Sequence, residues 1–237
     1  MGRERPAVPR TAVLAVGASA IAVLLLAVGA VVGAAWQSRD NDRAPTMSAV
    51  DVGFAQDMSV HHDQAILLAG TVAGLPGVGP EITGLATRII TAQTAENATL
   101  RGWLTWFGKP LTATDPMSWM SVTDDDPGSG HGHHGTVTRT TVPSAAADQG
   151  PAMTGMASTA DISRLADLTG RAAEVWFLQL MIRHHQGGLQ MAKAAHNNDE
   201  VSPTVKRTAY EMMTDQGQEI SQMTMLLEAR GARPLPG

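Results

Sequence analysis

The 237-residue chain contains no cysteine. That excludes disulfides, thiolate metal sites, iron–sulfur clusters and cysteine nucleophiles. It leaves methionine as the only soft sulfur donor. Aromatic residues are scarce: three Phe, one Tyr and five Trp, fewer together than the 13 methionines. Basic residues are short as well. Beyond residue 35 the chain carries 14 basic and 21 acidic residues, a net charge of −7. Binding a phosphate backbone needs clustered Lys and Arg, so nucleic acid is not an expected partner, and the acidic balance favours cations. Catalytic signatures are also missing. There is no Gly-x-Ser-x-Gly elbow and no phosphate-cradling loop. Di-iron sites in ferritin-like bundles need Glu-x-x-His, but Glu96 is followed at that spacing by Thr99 and Glu219 by Gln222. No enzymatic activity is expected, and a ferritin-like metal oxidase is the weakest functional reading.

One long apolar run is present. Thr11 to Ala35 has no charge over 25 residues and follows Arg3, Arg5 and Arg10. A signal-peptide core takes about 7–15 apolar residues and a membrane span about 20. Residues 1–36 therefore read as a cytoplasmic arginine segment and a transmembrane signal anchor, with Trp36 at the outer interface. Cleavage after the small residues Gly33-Ala34-Ala35 is the alternative, giving a secreted protein. Either way the remainder lies outside the cytoplasm.

The remainder is duplicated. A shift of 123 residues puts Phe54 on Phe177, Met58 on Met181, and His61-His62 on His184-His185. The same shift puts Pro80 on Pro203, Gln93 on Gln216, Glu96 on Glu219 and Gly108 on Gly231. Each copy reads as a helical hairpin. Asp51, Phe54, Met58, His61/His62, Ala65 and Leu68 recur at three or four residues, the helix period. Gly79-Pro80 and Ser202-Pro203 open the second helix of each copy, where proline's missing N–H costs nothing. The expected architecture is all-α. Repeat one (47–108), a linker (111–159) and repeat two (161–231) form a ferritin-like four-helix bundle behind an N-terminal transmembrane helix. The linker is rich in Gly, Ser, Thr, Asp and Pro, and most of it is expected to lack regular structure.

On a helix, Met58 lies against His61 and His62, and Met181 against His184 and His185. Adjacent histidines point about 100° apart, so one of each pair should face the core and the other a neighbouring helix. A pseudo-twofold axis would bring the equivalent residues together. Thioether with imidazole suits Cu(I), and imidazole with carboxylate suits Cu(II) or another divalent metal. Asp51 and Glu174, about two turns upstream, are candidate hard ligands or acceptors for a histidine N–H. His131, His133 and His134 form a weaker capture site in the linker. The rival reading has no metal. Gln93/Glu96 and Gln216/Glu219 would then hydrogen-bond the histidines in a pH-responsive polar core of an interaction module.

The spaced pattern Phe-x-x-x-Met-x-x-His-His, the linker "MTGM" at Met153 to Met156, and "FLQLMIRHHQGGLQMAKAA" resemble a known family. This is domain of unknown function 305, which includes CopM-like copper-binding proteins, and the resemblance spans Met47 to Arg230. It implies a ferritin-like helical bundle outside the cytoplasm and, in some members, copper binding or tolerance through Met and His. The matching positions are Asp51, Met58, His61, His62, Met153, Met156, Met181, His184, His185 and Met191. Leu68 stands where the family has Met, and Glu174 where it has Asp. The functional expectation is copper buffering, chaperoning or tolerance, with the metal ion, the membrane and a copper-handling protein as partners.

Overall fold

A computed structural model of the chain describes residues 26–33, 46–123 and 153–235. The chain divides into two units, Met1–Thr46 and Met47–Gly237. Within the first, residues 26–33 are helical. Among the described residues no helix is long and apolar enough to cross a membrane. Most of the expected span, and the linker histidines His131, His133 and His134, lie outside the described residues.

Every regular element described in the second unit is helical. α1 (Ala49–Gly74) and α2 (Pro80–Trp106) form the first hairpin. A 3₁₀ turn (Ser118–Thr123) and a short α3 (Thr159–Asp167) follow. α4 (Gly170–Asn197) and α5 (Pro203–Ala229) form the second hairpin. Pro80 and Pro203 both occupy the first helical turn, as the repeat requires. Ser48 and Asp51 form a capping box at the start of α1, and Ser158 and Asp161 do so for α3. Each box satisfies backbone donors that the helix itself cannot.

The hairpins join through their first helices. α1 and α4 run antiparallel, so the N-terminal half of α1 packs with the C-terminal half of α4. Phe54 and Met58 share an apolar cluster with Met191 and Ala195. Ala65 and Leu68 share a second cluster with Phe177 and Met181. Two histidine pairs separate these clusters. α1 is buried without a break from Phe54 to Ser59, as a helix between two neighbours must be. α2 and α5 flank this central pair, and a groove lies between them. The four long helices match the expectation, and α1 and α4 carry the joint between the two hairpins.

The linker packs against the bundle at both described ends. Trp119 on the 3₁₀ turn is buried edge-on against Phe54, with ring centroids 5.7 Å apart at 85°. Gly53 makes room for it, since a Cβ there would stand 2.7 Å from the indole. Buried Asp57 accepts hydrogen bonds from Trp119 Nε1 (2.8 Å) and the Met117 amide (2.7 Å). At the other end, residues 153–156 lie on α4. A Cβ on Gly187 would stand 2.0 Å from the Thr154 carbonyl oxygen, so only glycine permits this contact. Gly155 sits at φ 81° beside Gly187 and is fixed by the same contact.

Candidate metal centre

His61 and His184 meet at the crossing of α1 and α4. Their ring centroids are 3.8 Å apart and the planes tilt by 32°. His184 Nε2 donates to the His61 carbonyl oxygen at 2.9 Å. His61 Nε2 donates to the Thr154 carbonyl oxygen at 3.3 Å. The other histidine of each pair turns to its own hairpin. His62 Nε2 meets Glu96 Oε2 at 2.5 Å, and His185 Nε2 meets Glu219 Oε2 at 2.7 Å. All four rings are at most 1% exposed.

These partners fix the tautomers. Every Nε2 faces an oxygen acceptor, so every Nε2 carries its proton. In the neutral imidazole the lone pair is then on Nδ1. All four Nδ1 atoms are buried and none has a hydrogen-bond partner among the described residues. An unsatisfied buried acceptor costs about 1–3 kcal/mol, and four in one layer are unusual for a folded core. A metal-ligating histidine shows this arrangement: one nitrogen donates to a carboxylate or carbonyl, and the other is left for the ion.

The two rings at the crossing, His61 and His184, resist protonation. Burial, with the charges of His62 and His185, lowers His61 from 6.5 to about 3, against a small opposing effect of the Thr154 carbonyl. Burial and the neighbouring histidines likewise hold His184 well below its ordinary value. Both rings are neutral at physiological pH and available as ligands.

The remaining predicted donors are not all brought together. Met58 lies in one cluster with Met153 and Met191, while Met181 lies in the other with Met223. The single shared site of four histidines and two methionines is thus divided by the antiparallel crossing. Met156 packs against the Met58 cluster. Leu68 stands on the Met181 side at the position equivalent to Met191, so sulfur is concentrated at one end.

Asp51 and Glu174 are placed at helix ends. Asp51 precedes His61 by ten residues, about 15 Å along a helix. Its Oδ1 accepts from the Ser202 amide at 2.9 Å. Glu174 Oε1 accepts from the Gly79 amide at 2.7 Å, and Oε2 from Arg230 Nε at 2.5 Å. Burial raises the Glu174 pKa, but the Gly79 amide and Arg230 outweigh it and hold the carboxyl below its usual range. Ser202 and Gly79 are repeat-equivalent helix caps, so each carboxylate pins the second helix of the opposite hairpin. This role satisfies the backbone and leaves both acids away from the histidines.

Sequence reasoning named Met153 and Met156 but did not foresee that their segment covers His61. Gln64 holds it through Ala157, donating to its carbonyl at 3.0 Å and accepting from its amide at 2.6 Å. The signal was the Gly187-Gly188 pair, which stands where repeat one has Gln64-Ala65. Among the described residues, no three His, Cys, Asp or Glu side chains converge to hold one ion.

Several solved structures share this fold. A DUF305 protein of Streptomyces coelicolor, described as secreted, is 33% identical with a TM-score of 0.64, covering 79% of this chain and 98% of its own. A DUF305 fragment from Deinococcus radiodurans is 27% identical with a TM-score of 0.58, covering 78% and 99%. CopM in its Cu(II)-bound form is 23% identical with a TM-score of 0.50, covering 76% and 96%. No curated protein matches the chain. The sequence profile of the family described as "Domain of unknown function (DUF305)" matches residues 51–227, and the chain belongs to that family.

Proposed function

We propose that this protein binds copper outside the cytoplasm and buffers it or hands it to a partner, using the buried histidine layer and the methionines beside it. The observation that carries this reading is the set of four buried Nδ1 atoms without partners among the described residues, each on a ring whose Nε2 is already held by an oxygen. The donors that remain are imidazole nitrogen and thioether sulfur, the combination suited to Cu(I). Met58 shares its cluster with Met153 and Met191 next to His61, and this is the favoured soft end. The likeness to CopM gives the fold. CopM is described in Cu(I)- and Cu(II)-bound forms, which agrees with the choice of metal.

In this role the protein's own groups do three things. Glu96 and Glu219 hold the Nε2 protons of His62 and His185, so each Nδ1 keeps its lone pair. The loop at 153–156 covers His61 and keeps water from it. The apolar clusters on either side favour a low-charge, soft ion over hydrated hard ones. The extracytoplasmic setting rests on the expected N-terminal anchor or signal and on a secreted relative.

The test is a Cu(I) and Cu(II) titration against a competing chelator, with elemental analysis of untagged protein. Replacing His61, His62, His184 and His185 by Ala should abolish tight copper uptake. Uptake unchanged in that variant removes the histidines from the site. The non-metal reading has its own support, because every Nε2 already has a partner. It predicts a melting temperature that responds to pH and ignores copper.

A further inference from the structure

Sulfur is distributed unevenly along the bundle. Four methionines are buried in the Phe54 cluster and five more pack against it, nine of the chain's 13, while the Phe177 cluster holds two. Packing alone does not ask for this. Leu68, Ile89 and Ile90 serve the Phe177 cluster, and their repeat equivalents Met191, Met212 and Met213 serve the Phe54 cluster. The reverse exchange occurs once, with Leu100 at the Phe54 end and Met223 at the other. Aliphatic side chains of similar volume fill these positions one repeat away, so methionine adds sulfur there and little else.

The linker brings methionines to this cluster from both of its described ends, Met117 and Met120 from one and Met153 and Met156 from the other. The first pair has no part in the copper site described above. Met117 and Met120 are partly exposed and stand one 3₁₀ turn apart, with the Met120 amide donating to the Met117 carbonyl at 3.1 Å. Met117 is the one non-glycine residue among the described residues with a positive φ, 66°. An L side chain strains this left-handed backbone, which glycine adopts freely. A turn needed only to reverse the chain would carry glycine there, and this one carries a thioether. A second costly group fixes it. Asp57, 2% exposed on α1, accepts from the Met117 amide and from the Trp119 indole. A left-handed methionine and a buried carboxylate both lower stability, and together they hold Met117 and Met120 at the edge of the sulfur-rich cluster.

We propose that Met117 and Met120 form a second Cu(I) site, made of thioether sulfur alone, which captures the ion at the surface before it reaches the histidine layer. The choice of metal rests on the copper reading above, and the site rests on the strained turn and its anchor. Neutral thioethers suit Cu(I) and offer nothing to hydrated hard cations. Without imidazole the site is weaker than the inner one and releases its ion inward. Buried Met58 and Met191 belong to the same cluster and continue the sulfur from this edge toward the helix crossing.

The experiment uses the full chain, labelled with carbon-13 at the methionine methyl groups and titrated anaerobically with Cu(I). Two ions should bind per chain. The first should move the histidine ring signals, and the second should move the methyl signals of Met117 and Met120. Met117→Leu combined with Met120→Leu keeps the apolar bulk and should cut uptake from two ions to one, with the affinity for the remaining ion within twofold. In the chain with all four layer histidines replaced by Ala, the Met117 and Met120 methyls should still respond, with circular dichroism checking the helices. Methyl signals of Met117 and Met120 that stay still at two equivalents, or two ions bound by the double Leu variant, would overturn the proposal. If these methyls respond and the histidines do not, the copper reading of the layer fails while this site stands. If the histidines respond and these methyls do not, the reverse holds.

Discussion

His184 donates its Nε2 proton to the backbone carbonyl of His61, the residue it duplicates 123 positions earlier. The repeat therefore folds back on itself at the position where its chemistry is concentrated. Both rings are fixed, neutral and stacked, and each keeps an Nδ1 without a partner among the described residues.

His61→Ala and His184→Ala should each lower copper affinity tenfold or more in competition with a chelator. His196→Ala, in which a histidine near the end of α4 is changed, should leave it within twofold. His196 Nδ1 is bonded to the Lys206 carbonyl at 3.1 Å and lies outside the layer.

Glu96→Gln with Glu219→Gln keeps size and removes the charged acceptors of His62 and His185. Loss of such supporting acceptors costs about 10–100-fold in metal affinity. The pair should therefore fall in that range by the same competition, with the helical content unchanged.

Stability should fall in acid. Buried His61 titrates at about 3 in the folded chain, against an ordinary value of 6.5. Between those values the unfolded chain binds the proton and the folded chain does not. The stabilisation is full above pH 6.5 and is lost at about 1.4 kcal/mol per pH unit below it. His184 acts in the same direction. Urea midpoints measured from pH 7 to pH 5 should decline, and His61→Phe should flatten the decline.

Gly187→Ala should lift the loop at 153–156 from α4, because its Cβ would meet the Thr154 carbonyl at 2.0 Å. The cost should be about 1–3 kcal/mol of stability. Removing the Thr154 acceptor from His61 should also weaken copper binding. Thermal melts and chelator competition on the same preparation check both effects.

Asp51→Ala should cost about 1–2 kcal/mol, because its carboxylate would no longer accept from the Ser48 amide in the capping box or from the Ser202 amide. Copper affinity should not change. A tenfold loss of copper in this variant would return Asp51 to the site.

Much of this was legible in the sequence because periodicity and duplication are local signals. The helices opened by Pro80 and Pro203, and the meeting of equivalent residues at the crossing, follow from the repeat and the 3.6-residue period. Spacing alone could not say that His61 turns inward and His62 to Glu96. That choice depends on which helix packs on which face. The same limit put Asp51 and Glu174 among the metal ligands. Their proximity in sequence hid that each carboxylate reaches the helix cap of the opposite hairpin. Met58 and Met181 were grouped for a related reason: antiparallel crossing sends equivalent residues one turn from the axis to opposite sides. The motif at Met153 to Met156 stood out only through the family resemblance, and its packing on α4 was not foreseen because the contact is glycine backbone on glycine backbone, which leaves no apolar pattern.

X-ray absorption on the chain loaded with one Cu(I) tests the central claim most directly. The account predicts a nearest shell of mixed imidazole nitrogen and thioether sulfur, lost when His61 and His184 are both replaced. A shell of oxygen alone, or one unchanged by that replacement, would contradict it.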